Sequence, residues 1–171
     1  MELLEAQIKK IQSLCSSGKF VEAMELAREL VLKNPGSQSA FRCRANVHNA
    51  MNDIPQALAD CDEAIRLGEA ARFPPEPHDL CLRAQLHYDL GNYQASESDC
   101  TRALEIGEAT KFHYYDEYCH FFRSVARIGL RQYEMAFEDA DFVKDNFVIF
   151  TRRDGKVTKQ DLMKRIVGKS K

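Results

Sequence analysis

Apolar and small residues recur along this chain at helical spacing, in short blocks that come in pairs. Phe41, Ala45, His48 and Met51 share one face of a predicted helix. After the breaker NDIP at 52–55, Ala57, Leu58, Cys61, Ala64, Ile65 and Gly68 share one face of the next. Leu80, Ala84, His87 and Leu90, followed by Ser96, Cys100, Ala103, Leu104 and Gly107, repeat the arrangement. NPGS at 34–37 and PPEP at 74–77 stand where helices should end.

The repetition is partly literal. Aligned at an offset of 39, residues 40–73 and 79–112 share ten identities over 34 positions, among them Arg44/Arg83, His48/His87, Asp60/Asp99 and Gly68/Gly107. The phrase RLGEAARF at 66–73 returns as EIGEATKF at 105–112. A turn, then a large residue, then a small one three further on occurs four times: GKFVEA, NDIPQA, GNYQAS and RQYEMA. These end at Ala23, Ala57, Ser96 and Ala136, spaced by 34, 39 and 40 residues. Four copies of a two-helix unit are expected. A helix pair cannot bury its apolar face alone, so the pairs must stack, and the fold class is all-α. Glycine inside a helix costs about 1 kcal/mol relative to alanine, so Gly68 and Gly107 mark a close approach or a helix end. Phe73 and Phe112 are expected to anchor the joins to the following units.

Composition fits one ordinary domain: 171 residues, 44% hydrophobic, 29% charged. The net charge of -2 hides an asymmetry, because residues 151–171 carry +6 and the preceding 150 carry -8. That divides the chain into a helical repeat domain at 1–146 and a basic C-terminal segment at 147–171, which either docks on its own body or attracts an acidic partner. The start, MELLEAQIKKIQ, lacks a signal-peptide core, and no apolar run approaches the ~18 residues of a membrane span. Six cysteines without any C-x-x-C are expected as reduced thiols, which points to the cytoplasm or nucleus.

The repeats resemble the tetratricopeptide repeat family across roughly residues 4–145. GKFVEAMELARELVLKNP is the fullest match, with Gly18 at the inter-helix turn, then Phe20, Ala23, Ala27, Leu30 and the closing Pro35. FRCRANVH and LCLRAQLH match the first-helix pattern through Phe41 or Leu80 and Ala45 or Ala84. Cys61, Cys100 and Ala140 replace the usual large aromatic of the second helix, and two units run long. The resemblance implies a right-handed α-α superhelix of about four helix pairs.

Two charge series run in step with the repeats. Arg44, Arg83 and Arg123 occupy equivalent places in the first helices, and Asp60, Asp99 and Asp139 always follow 16 residues later. They are read as ion pairs within each repeat, made bidentate by the guanidinium fork. The alternative is an arginine ladder that binds a ligand. No ligand pair has zinc spacing and no nucleophile has a base, so neither a metal, a cofactor nor catalysis is expected. The stretch DGKVTKQDL imitates the later half of a calcium loop, but Phe150 and Arg152 fall where oxygens are needed. A turn at Asp154-Gly155 and a capping helix from Thr158, with Leu162, Met163 and Ile166 inward, is the better reading. The alternative makes this segment a basic arm anchored by FVIF at 147–150.

In tetratricopeptide arrays the first helices line a concave groove that takes peptides. Carried over by position, the resemblance puts Gln12, Arg42, Asn46, Asn49, Gln85 and Tyr88 in that groove, with Tyr118, Phe121 and Phe122 at its C-terminal end. These aromatics serve either as a ligand anchor or as core covered by residues 144–168. One branch of the family grips chaperone tails through a two-carboxylate clamp, whose places hold Ile8, Gln12, Cys43, His78 and Leu82 here, so that clamp is absent. The expected function is a non-enzymatic adaptor or scaffold that binds a short segment of a partner protein. The alternatives are a basic tail tethered to RNA or an acidic surface, or a co-chaperone without the clamp. The tail has no interleaved aromatics, which argues against nucleic acid.

Overall fold

A computed structural model describes residues 2–71 and 76–168. Among them nine helices and one hairpin follow in order: α1 (Glu2–Ser16), α2 (Phe20–Lys33), α3 (Gln38–Ala50), α4 (Ile54–Ala70), α5 (Pro77–Asp89), α6 (Tyr93–Thr110), α7 (Asp116–Gly129), α8 (Tyr133–Phe142), β1 (Val148–Thr151), β2 (Gly155–Thr158) and α9 (Lys159–Val167). The chain is an all-α helical repeat of four helix pairs closed by a C-terminal helix. It forms two compact units, Met1–Asp79 and Leu80–Lys171. Phe73 and the prolines at 74 and 75 lie outside the described residues, as do the lysines at 169 and 171.

The turn inside each pair is built the same way four times. Gly18, Asn52, Gly91 and Arg131 have φ of 75°, 63°, 80° and 63°. The following residue's N–H reaches five residues back, from Lys19 to Leu14, Asp53 to His48, Asn92 to His87 and Gln132 to Arg127, at 2.8–2.9 Å. The left-handed residue itself bonds three residues back, completing a Schellman motif that satisfies the orphan carbonyls of the first helix. The next helix starts at once, and its first intrahelical bonds are donated by Ala23, Ala57, Ser96 and Ala136. All four of these small residues are fully buried, so the small side chain lets the two helices of a pair approach closely.

Within the first unit, α1, α2 and α3 share a core of Ile11, Ala27, Leu30, Val31 and Val47. In the second, Leu80, Leu86, Phe121, Phe122, Val143 and Leu162 are buried. Gly68 lies against the Gln38 amide, where an added Cβ would come within 3.0 Å. Gly107 lies against the Phe112 carbonyl and Asp116, with an added Cβ at 3.1 Å from each. The repeated glycines therefore sit at close approaches near helix ends. Phe112 does not anchor the next unit through burial; it stays half exposed, stacks on Tyr114 and meets Tyr115 at a tilt, both in the linker to α7.

After α8 the sequence reading gave a turn and a helix, and the structure adds a hairpin. Val148 pairs with Thr158 and Thr151 with Gly155, around a turn containing Asp154 and closed by Gly155 at φ 70°. Thr158 accepts from the Asp161 N–H while Asp161 accepts from the Thr158 N–H, a capping box that starts α9. Leu162 and Ile166 are buried, and α9 packs on α7 and α8.

Candidate functional site

The three arginine–aspartate pairs share one local geometry. Arg44 donates Nε and Nη2 to Asp60 at 2.8 and 2.6 Å, and Arg83 to Asp99 at 2.8 and 2.6 Å. Arg123 reaches Asp139 from Nε at 2.9 Å and Nη2 at 2.7 Å. Each carboxylate is buried, and each pair joins the first helix of a repeat to its second. With the guanidinium forks filled, these arginines offer little to a ligand. Asp139 gathers further partners: Arg127 donates to it at 2.7 Å and His120 Nδ1 lies 2.8 Å away. Burial alone would raise the Asp139 carboxyl, but the bonds from His120 and Arg123 hold it below the usual Asp range. Arg127 stands where His48 and His87 stand in the earlier repeats, and His48 Nε2 lies 3.9 Å from Asp60. Sequence reasoning missed this third series, although the His48/His87 identity was its signal.

On the first-helix face of the first unit, the positions carried over from the resemblance divide. Gln12 and Asn46 line a cleft of about 280 Å³ together with Cys15, Ser16, Cys43 and His78. Asn49 is half-buried and is not part of the cleft lining. Arg42 is committed elsewhere. Its Nε and Nη2 donate to Asp79 at 2.6 and 3.0 Å, and Gln38 adds a bond to the same carboxylate at 2.9 Å. Asp79 is 1% exposed. Burial would raise its carboxyl, yet the His78 ring, Arg42 and Gln38 together keep it low. The Arg42–Asp79 contact joins α3 to the first turn of α5. It has no copy in the other repeats, so periodicity could not reveal it. Asn46 donates to the Arg42 carbonyl at 3.0 Å.

In the second unit the same face is covered by the chain itself. Phe121 and Phe122 are 0% exposed, with Tyr88 also buried, so the three form core and not an open anchor for a ligand. Phe147 packs on Phe121 at 5.6 Å between ring centroids, and Tyr118 packs on Phe122 at 4.6 Å with the rings tilted by 43°. Tyr118 donates to Gln85 Oε1 at 2.5 Å, which occupies the amide expected to face a peptide. Tyr88 donates to Asp154 in the hairpin turn; burial first, then this bond, push its phenol well above the ordinary range. Arg152 bonds Asp89 at 3.0 Å, Arg153 lies over the Tyr93 ring at 5.3 Å, and Arg165 bonds Asp154 at 3.2 Å. The basic segment's arginines are thus spent on the second unit's own surface. Of the two roles weighed for residues 147–168, the capping one accounts for these contacts.

Cys81, Cys100 and Cys119 meet where α5, α6 and α7 join, with Cys81 and Cys119 sulfurs 2.8 Å apart. The bond to Cys119 and then burial push the Cys81 thiol up; burial leads for Cys100. Cys119 is shifted the other way by its contacts with the same two thiols, against burial. Among the described residues no group of His, Cys, Asp and Glu is arranged to hold a metal ion, and no helix is long and apolar enough to cross a membrane.

No protein-family model matches the chain, and no curated protein sequence does either. Solved structures do match in shape. A putative kinesin light chain from Podosopora anserina with nearly identical TPR-like repeats superposes with a TM-score of 0.70 at 13% identity, over 98% of this chain and 94% of that one. A MamA protein, the RS-1 ArsTM double mutant, gives 0.67 at 12% identity over 81% of this chain and 71% of its own. A tetratricopeptide repeat protein from Parabacteroides merdae gives 0.64 at 20% identity, with 82% of this chain covering 52% of that protein. With four Schellman-turned helix pairs and a capping helix, the chain has the tetratricopeptide-repeat fold in a divergent form.

Proposed function

We propose that this protein is a non-enzymatic interaction module that takes a short extended segment of a partner protein on the first-helix face of its first unit. The observation that carries the reading is the cleft lined by Gln12 and Asn46. Its two amides supply donors and acceptors suited to a peptide backbone, while Cys15, Cys43 and Val47 give it an apolar floor. The neutral lining favours internal segments over ones that end in a carboxylate. Burial pushes the Cys43 thiol up to about 12, so the floor carries no charge at neutral pH. In the second unit Gln85, Tyr88, Tyr118, Phe121 and Phe122 serve packing, which confines the reading to the first.

The test is selection of peptides from a random displayed library on the whole chain, followed by affinity measurement with Gln12→Glu and Asn46→Ala. Arg42 is left intact because its loss would strand Asp79. A loss of about ten-fold or more in both variants is expected, on the scale of a lost interface hydrogen bond that leaves a partner unpaired. Unchanged affinity in both variants places the peptide elsewhere and refutes the reading. The tether reading, in which the basic segment holds RNA or an acidic surface, is weakened by the internal bonds of Arg152 and Arg165.

A further inference from the structure

The second unit carries a larger cleft on a different face from the one its hairpin covers. It has a volume of about 1020 Å³ and lies between the C-terminal half of α6, the linker to α7, the start of α7 and the end of α8. Its floor is apolar: Leu104, Ala109 and Phe142, with Phe142 stacked on the His120 ring at 4.3 Å and 6° between planes. Two aromatics of the cleft stand in solvent, Tyr114 at 79% and Phe142 at 69% exposure, and Phe112 extends the patch beside Tyr114 at 6.2 Å. Exposed aromatics gathered at one concavity are unusual on a soluble surface and mark contact sites.

Carboxylates outnumber the cations around this floor. Glu105, Glu108, Asp116 and Glu117 line the cleft against Arg123 and Lys144. Arg123 is held from behind by buried Asp139, which it shares with Arg127, and Lys144 is held by Glu117 at 3.2 Å. Lys111 is held by Glu108 at 2.9 Å, and the His113 ring lies 2.8 Å from Asp116. Glu105 makes no hydrogen bond or ion pair among the described residues, although it faces the cleft. Glu105 beside the aromatic faces, with the surplus of acid from Glu108, Asp116 and Glu117 around it, forms a receptor for cations attached to an apolar chain. Lysine or arginine heads meet the carboxylates and the ring faces, while an apolar neighbour fills the floor.

We propose that this cleft is a second protein-interaction site, taking a partner segment in which basic residues flank an apolar one. It is separate from the Gln12–Asn46 cleft and stands or falls independently of the peptide reading made for that cleft. The occupant differs in kind: the first cleft is neutral and favours backbone recognition, whereas this one selects by charge.

The probe is a synthetic peptide with arginines on both sides of a leucine, beside a counterpart carrying glutamates in place of the arginines. Both are titrated into the full chain and followed through backbone amide shifts. The expected result is shifts confined to residues 101–123 and 142–144 with the arginine peptide, and none with the glutamate one. Glu105→Lys with Tyr114→Ala should weaken binding by about ten-fold or more, at the scale of close charge pairs and ring contacts. Both side chains are exposed, so neither change threatens the fold. The proposal is overturned by no binding, by shifts spread over other acidic surfaces, or by unchanged affinity in the double variant. Shifts at the same amides on raising the protein concentration alone would make a second copy the occupant, and that too overturns it. Shifts at Gln12 and Asn46 would report on the other cleft, which keeps the two readings separable.

Discussion

Arg83 meets Asp99 fork to fork, Nε on Oδ2 at 2.8 Å and Nη2 on Oδ1 at 2.6 Å, with the carboxylate sealed between two helices of one repeat. Arg44 with Asp60 and Arg123 with Asp139 copy the arrangement, while the first repeat has Lys10 and Leu26 in the matching places and relies on its apolar core. A buried pair of this kind adds little net stability compared with apolar residues of equal size, because desolvation offsets the attraction. Losing one partner is another matter. Asp99→Ala should destabilise by about 3–5 kcal/mol, since Arg83 keeps its charge without its acceptor. Arg83→Met with Asp99→Leu should recover most of that loss. Urea unfolding of the four corners of this cycle checks it; equal losses for the single and double variants would show that the pair itself stabilises.

Acid should act through Asp139 and Asp79. Both carboxyls sit below the ordinary Asp range when folded, because donors around them outweigh burial. The unfolded chain takes up its protons first, near pH ~4, so their stabilisation is complete above that pH. It declines as pH falls further and is gone once the folded carboxyls protonate. Asp139→Asn should lower stability at neutral pH and flatten the loss below pH ~4. Unfolding free energies measured from pH ~7 to ~3 give the result, and an unchanged acid slope in the variant would contradict it.

Arg131 holds φ 63° at the turn where two of the other repeats place glycine. A non-glycine residue in the left-handed region is strained by roughly 1 kcal/mol, partly offset by the flexibility glycine brings to the unfolded chain. Arg131→Gly should therefore stabilise by about 0.5–1 kcal/mol, and Gly91→Arg should destabilise. The second change also crowds Arg153, whose Nη1 lies 3.1 Å from where a Cβ would stand at Gly91. Thermal melts of both variants decide the matter.

Much of the fold was legible because its signals are local and repeated. The turn residues at 18, 52, 91 and 131 recur at the same spacings as the buried small residues after them, so four helix pairs follow from counting. The arginine and aspartate series were visible for the same reason. The candidate groove was not, because its state depends on contacts made once. Arg42 is taken by Asp79, 37 residues away, and Tyr88 by Asp154, 66 residues away, and neither contact repeats. The strands around Gly155 escaped because VIFT is four residues long and shows no clean alternation; only Thr151 among them is buried.

Thiol chemistry separates acidity from access. Five of the six cysteines are buried, and Cys15 alone is partly exposed. Cys119 is the thiol of its cluster shifted toward acidity, by its contacts with the other two, yet it is 1% exposed. Iodoacetamide on the folded chain should modify Cys15 first, and more slowly than a free thiol because burial raises its pKa. Mass spectrometry of digests reads the order. Early modification of Cys119 would mean that the second unit opens readily.

The strongest test of the capping role lies at Leu162, which is fully buried where α9 meets the second unit. Leu162→Ala removes apolar contacts and leaves a cavity, so a cost of about 2–5 kcal/mol is expected. The loss should be local before it is global. Amide exchange should quicken first in α9 and then in α7 and α8, whose faces α9 covers, while α1 to α3 keep their protection. Phe147→Ala should act in the same direction by uncovering Phe121, and Arg152→Ala, at the hairpin's rim, should act more weakly. If instead residues 147–168 were a detachable arm, Leu162→Ala would leave exchange in α7 and α8 unchanged. The position of Phe121 under Phe147 argues for the first outcome: a face with two fully buried phenylalanines needs its cover to stay folded.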